Sequence, residues 1–212
     1  FRPKVNLKKN FKVQIIRSIL MVTATTFMFY SLQKFDMVDI YVVFFTAPLI
    51  VSLLSAYFLK DILTIKGIIL MLLSFGSIIY SLGPSMKIFS LDLIFPIIPP
   101  ICWALYQFFT KVISNDNDPF AAIFYTSILG AIIFSIFIIF NWEPLEKNIY
   151  WLYLILLGLA GFISHSLIIY AIQLSNLSFV TNFQYSQLVW STIVNFLIFG
   201  VPFDFNKIVG VI

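Results

Sequence analysis

Apolar residues in this chain come in long blocks, and polar and charged residues collect in the short stretches between them. Seven complete blocks can be marked, at 17–34, 37–59, 65–82, 91–113, 119–141, 150–173 and 177–200, and an eighth starts near Phe205. Each is near the ~20 residues that a helix needs to cross a hydrocarbon core of ~30 Å. The blocks are continuously apolar, whereas strands of a membrane barrel alternate over about ten residues. Membrane-spanning helices are therefore predicted, because each can satisfy its backbone polar groups within its own segment. Connectors such as "LKDILTIK", "KVISNDNDP" and "NWEPLEKN" carry nearly all the charge.

Polar residues inside the blocks are neutral and fall at helical spacing. In the first, Thr23, Thr26, Tyr30 and Gln33 share one face. In the fourth, Trp103, Tyr106, Gln107 and Thr110 do so, and in the seventh Gln184, Gln187, Ser191 and Asn195. Ser166, Tyr170 and Gln173 form such a stripe in the sixth, and Asn182 points away from Gln184. With the first block starting at Arg17, no Asp, Glu, Lys or Arg is expected deep within a span. The stripes have two explanations. Small residues and hydroxyls let helices approach and bond across an interface. Several amides on neighbouring helices are harder to satisfy that way, and Gln107, Gln184 and Gln187 are expected to face a water-filled cavity. His165 is the only histidine, either a packing residue or a proton-coupling group. Pro48 in the second span and Pro96, Pro99 and Pro100 in the fourth each free a carbonyl about a turn earlier. Kinks are expected there, with Pro48 and Pro99 as hinge candidates.

A faint internal repeat adds to the pattern. "FYSLQK" at Phe29–Lys34 matches "IYAIQL" at Ile169–Leu174 at an offset of 140, and "FFTAPL" at Phe44–Leu49 matches "FQYSQL" at Phe183–Leu188 at an offset of 139. Five crossings separate the first span from the sixth, so the two copies would enter the membrane from opposite sides. Such inverted repeats build many secondary transporters.

Composition sharpens this. Of 212 residues, 61% are hydrophobic and 10% charged, against about 45–50% and 25% in soluble domains, which rules out an ordinary soluble fold. The net charge is +4, and six of the thirteen basic residues lie in the first seventeen positions. That distribution suits a membrane-flanking tail and argues against a nucleic-acid surface. With the N-terminal tail inside, nine basic residues lie on the cytoplasmic side and four outside. Trp142 and Trp151 then flank an outer loop as interfacial anchors. Cys102 is the single cysteine, and with one His no metal-ligand pattern exists. No metal or cofactor is expected.

Several stretches resemble the EamA-type transporters of the drug/metabolite transporter superfamily. "FYSLQKFDMVDIYVVFFTAPLIVSLLSAYFLKD" is similar to the family's third-to-fourth helix signature. "ICWALYQFFTKVI", with Trp103, Ala104 and Lys111, resembles the start of its second repeat, and "NFQYSQLVWSTIVNFLIFG" its ninth helix. The resemblance implies an all-α membrane protein, a multi-span bundle built from two inverted five-helix repeats. Residues 1–86 would carry helices three to five, and 87–212 helices six to nine with the start of ten. The chain begins at Phe1 and stops within "KIVGVI", so it is expected to be an internal fragment truncated at both ends. The resemblance further implies a central cavity between the repeats, gated by the third, fourth, eighth and ninth helices. Many members carry Gly-Glu after the ninth helix, whereas "FGVPFD" has Val201.

The function expected is secondary transport of a small polar or amphipathic metabolite, such as an amino-acid derivative or nucleoside-like solute, across a bacterial inner membrane. Substrate contacts are expected from Trp103, Tyr106, Gln107, Tyr30, Tyr170, Gln184 and Gln187, in a nearly neutral cavity. The partners are then the lipid bilayer and the small-molecule substrate, with no nucleic acid, and a homodimer is left open. A non-transporting membrane scaffold is the alternative. An intramembrane enzyme would need a nucleophile with its base, or metal ligands, at membrane depth, which this residue set does not offer.

Overall fold

A computed structural model describes residues 9–35, 37–61, 65–82, 94–114, 119–140, 142, 144 and 146–200. The described residues are helical at all seven predicted positions. The helices are α1 (Phe11–Leu32), α2 (Met37–Phe44), α3 (Ala47–Leu54), α4 (Ile65–Leu82), α5 (Ile94–Val112), α6 (Pro119–Phe140), α7 (Ile149–Leu174), α8 (Leu177–Asn182) and α9 (Gln187–Phe199). By length and composition, four stretches of described residues can cross a bilayer: Phe11–Leu32, Ile40–Leu59, Pro119–Phe140 and Ile149–Leu174. The predicted eighth span lies outside the described residues. The protein is a multi-pass helical membrane bundle.

Two predicted spans are not single helices. The second breaks at Phe45–Thr46, between α2 and α3, and closes with a π-helical turn at Ser55–Leu59. Pro48 lies in the first turn of α3, where a missing N–H is best tolerated, so the break falls where a kink was predicted. The seventh span breaks in a 3-10 turn at Phe183–Ser186, between α8 and α9. The offset of 139 that aligns "FFTAPL" with "FQYSQL" places Phe45 and Thr46 on Gln184 and Tyr185. Both breaks therefore fall at aligned positions of the two sequence stretches. By contrast, α5 runs without interruption through Pro99 and Pro100, so no helix break marks the hinge candidate at Pro99.

The bundle is organised around α5, which packs against α1, α2, α3, α7 and α8. Val51, Ala104, Ile172 and Leu177 form a buried cluster that joins α3, α5, α7 and α8. Much of α6 and α7 instead turns Ile132, Phe137, Leu157 and other apolar side chains outward, as helices facing acyl chains do. Trp142 and Trp151 are exposed near each other, their ring centroids 6.3 Å apart, at the loop where interfacial anchors were predicted.

At the opposite end, Lys111 of α5 donates from Nζ to the carbonyls of Ile172 (2.9 Å) and Ser175 (2.7 Å). It thus satisfies carbonyls at the C-terminal end of α7, where the helix dipole favours a cation. Lys111→Met should lower the unfolding free energy by about 1–3 kcal/mol, the worth of charge-assisted bonds, read as a fall in Tm of the purified protein in detergent. An unchanged Tm would mean that the cap contributes nothing.

The buried face of α1 differs from the predicted one. Thr26 does not reach across to a neighbour but donates to the Val22 carbonyl of its own helix at 2.9 Å, a back-bond open to any helical threonine. Tyr30 is exposed at the helix end. The face that packs inward carries Gln14, Arg17, Ser18 and Val22. The helix also begins at Phe11 rather than near residue 17, which sets Arg17 six residues, or about 9 Å, inside it.

Candidate transport cavity

Four of the polar residues singled out from sequence converge on the inner face of α5. Trp103, Tyr106 and Gln107 lie one helical turn apart, and the 3-10 turn of the seventh span brings Gln184 onto them. Gln184 donates from Nε2 to Gln107 Oε1 at 2.9 Å and accepts from Trp103 Nε1 at 3.4 Å. The Trp103 ring stacks on Tyr106 with centroids 5.4 Å apart and meets the edge of His165 at 5.8 Å. These contacts orient the indole and both amides before any ligand arrives, so little ordering remains to be done on binding.

Two cavities adjoin this cluster. The larger, about 330 Å³, is lined by Phe44, Phe45, Trp103, Ser164, His165, Ile168, Gln184 and Gln187. The smaller, about 190 Å³, lies between α5, α6 and α7, with Tyr106, Ile123, Thr126, Ser127, Phe162 and His165 among its walls. His165 borders both, making them neighbouring lobes of one candidate site. The larger lobe combines aromatic walls with two amides, a common composition for a small-molecule pocket. Asn182 faces a different cavity beside Met71 and Tyr185, on the other side of the break from Gln184.

Both helix breaks open onto the larger lobe, through Phe44 and Phe45 on one side and Gln184 and Gln187 on the other. They also touch. Tyr185 Oη donates to the Phe45 carbonyl at 3.2 Å, and the two rings lie 6.0 Å apart. Irregular backbone at membrane depth is tolerated where it lines a cavity, and both breaks do so.

Other residues named from sequence lie elsewhere. The Tyr30 ring packs at 4.8 Å on Phe95 with Lys34 Nζ 4.9 Å from its centroid. Tyr170 is exposed on α7 and borders neither lobe. The side chains of Ser191 and Asn195 lie outside the described residues. Gln187 borders the larger lobe from an exposed position.

Arg17, placed at the edge of the first span from sequence, is fully buried between helices near the ends of α5 and α6. It donates from Nη1 to Thr110 Oγ1 at 3.1 Å, and from Nη2 to Thr126 Oγ1 at 2.7 Å and to the Ala122 carbonyl. Its guanidinium carbon sits 4.9 Å from the centroid of the Tyr106 ring, within cation–π range. One side chain thus joins α1, α5 and α6, and among the described residues no carboxylate is found against it. The surroundings of Tyr106 are therefore electropositive rather than neutral. Hydropathy missed Arg17 because a cation ends an apolar window. The signal available was the spacing of Gln14, Arg17 and Ser18 on one face.

A family model, the EamA-like transporter family, matches residues 1–83 and 91–212. The chain belongs to that family. Among curated proteins, it is 23% identical over 196 residues to an S-adenosylmethionine uptake transporter of Rickettsia bellii (strain RML369-C). That alignment covers 89% of this chain and 64% of the relative, so the chain spans less than two thirds of the relative's length. A crystal structure of a protein 16% identical in sequence superposes with a TM-score of 0.79, over 96% of this chain and 73% of the other. At that identity the likeness establishes the fold alone.

Proposed function

We propose that this protein is a secondary, alternating-access transporter of a small polar or amphipathic metabolite, an amino-acid derivative or nucleoside-like solute, in a bacterial inner membrane. Family membership supports transport over catalysis. The observation that carries the mechanism is the pair of helix breaks at aligned positions of the two sequence stretches, both facing one cavity. Broken helices meeting at the site between inverted repeats are a recurrent arrangement in secondary transporters. Residues 1–86 and 87–212 would be the two repeats, rocking against each other with Pro48 at one hinge.

Trp103 and the Phe44 and Phe45 rings supply apolar contact in the larger lobe, and Gln107, Gln184 and Gln187 orient the solute by hydrogen bonds. The S-adenosylmethionine named for the Rickettsia relative combines a nucleoside with an amino acid, which suits a two-lobed cavity, and it is the first substrate to test. His165, bordering both lobes, is the group through which proton coupling would run. The full-length protein, reconstituted in liposomes, should accumulate at least one member of a panel of nucleosides, amino acids and S-adenosylmethionine, with saturation kinetics. A correctly folded protein that moves none of them would end the transporter reading.

A further inference from the structure

We propose that the smaller lobe is a carboxylate subsite: it receives the acid end of an amino-acid-bearing solute, whose charge is balanced by Arg17. This rests on the transporter reading and extends it.

Size comes first. Whole-ligand pockets run from about 300 to 1,000 Å³. The larger lobe reaches that range at about 330 Å³. At about 190 Å³ the smaller lobe falls below it and accommodates one end of a molecule. His165 is a wall of both lobes, so a solute with an apolar body and an acid head would reach from one to the other past its ring.

Charge comes second. Arg17 is always protonated and is fully buried, and it meets two hydroxyls, a carbonyl and a ring face. Its Nε, also buried, has no hydrogen-bond partner among the described residues. A buried cation is costly without a counter-charge. The smaller lobe begins one hydroxyl away from the guanidinium, because Thr126 both accepts from Arg17 and lines that lobe.

Donors come third. Tyr106 lines the smaller lobe, with its hydroxyl buried beside Thr126. Thr126 Oγ1 now donates to the Ala122 carbonyl at 3.0 Å. That carbonyl also accepts from Arg17, so Thr126 can turn its proton to an incoming carboxylate and leave no acceptor stranded. Two hydroxyl donors backed by one fixed positive charge match one carboxylate. A doubly charged phosphate would leave a negative charge uncompensated.

The test is equilibrium binding to the purified full-length protein in nanodiscs, with acids paired against their decarboxylated forms. S-adenosylmethionine is compared with decarboxylated S-adenosylmethionine, and tryptophan with tryptamine. Each pair differs only in the carboxylate. At least one acid should bind tenfold or more tighter than its partner. Tyr106→Phe keeps the ring over Arg17 and removes only the hydroxyl; it should cut that preference several-fold. Arg17→Gln should abolish it. No preference in the wild type, binding of no acid, or an undiminished preference in Tyr106→Phe would each overturn the subsite. Transport of panel solutes without acid preference would remove the subsite and leave the transporter reading standing, whereas failure of all transport would remove both.

Discussion

Gln184→Leu should weaken binding of the transported solute about tenfold to a hundredfold, which is about 1.4–2.8 kcal/mol. Gln184 is the member of the cluster that ties two elements together: it donates to Gln107 and accepts from Trp103. Gln107 is buried, and its Nε2 already lacks a partner. Leucine at 184 would leave both ends of the Gln107 amide unpaired. A stranded buried polar group costs about 1–3 kcal/mol, and the solute would meet an indole and an amide no longer held in place. Gln187 borders the same lobe from an exposed position, so Gln187→Leu should cost no more than about a factor of three, the effect of a fraction of one net hydrogen bond. Isothermal titration with a transported solute separates the two. Equal affinities for wild type and for the double variant Gln184→Leu, Gln187→Leu would show that the solute does not contact this lobe.

The largest stability effect is expected at Arg17. Arg17→Ala removes the donors to Thr110, Thr126 and the Ala122 carbonyl and leaves a cavity between three helices. Truncation of a large buried side chain with loss of charge-assisted bonds costs about 3–5 kcal/mol. Arg17→Lys should recover only part of this, because one ammonium cannot reproduce a planar fork that reaches two helices at once. Equilibrium unfolding in detergent would measure both. A variant Arg17→Ala within about 1 kcal/mol of wild type would show that the α1–α5–α6 junction does not depend on this residue.

Hydrophobic blocks gave the seven helical positions because each segment must satisfy its own backbone. The grouping of Trp103, Tyr106 and Gln107 was legible from three-and-four spacing on one helix. What such spacing cannot give is the neighbour a face meets. Tyr30 and Tyr170 align at an offset of 140, yet both are exposed and neither borders the cavity. The break at Phe45–Thr46 was signalled by Pro48. The break at Phe183–Ser186 holds neither proline nor glycine, and only its alignment with "FFTAPL" pointed to it. Arg17 was hidden because its cost in hydrocarbon is offset by partners on α5 and α6 that lie about a hundred residues away in sequence.

The contact between Tyr185 and Phe45 has a mechanical consequence. Beyond the 3-10 turn, α9 has 13 residues, a rigid arm of about 20 Å at 1.5 Å per residue. A rotation of roughly 15° at the turn would carry its far end about 5 Å, close to one helical pitch of ~5.4 Å. The Tyr185 hydroxyl bonds the Phe45 carbonyl at that fulcrum, where a shift too small to break a helix is amplified along α9 into one large enough to open or shut a path for a small solute.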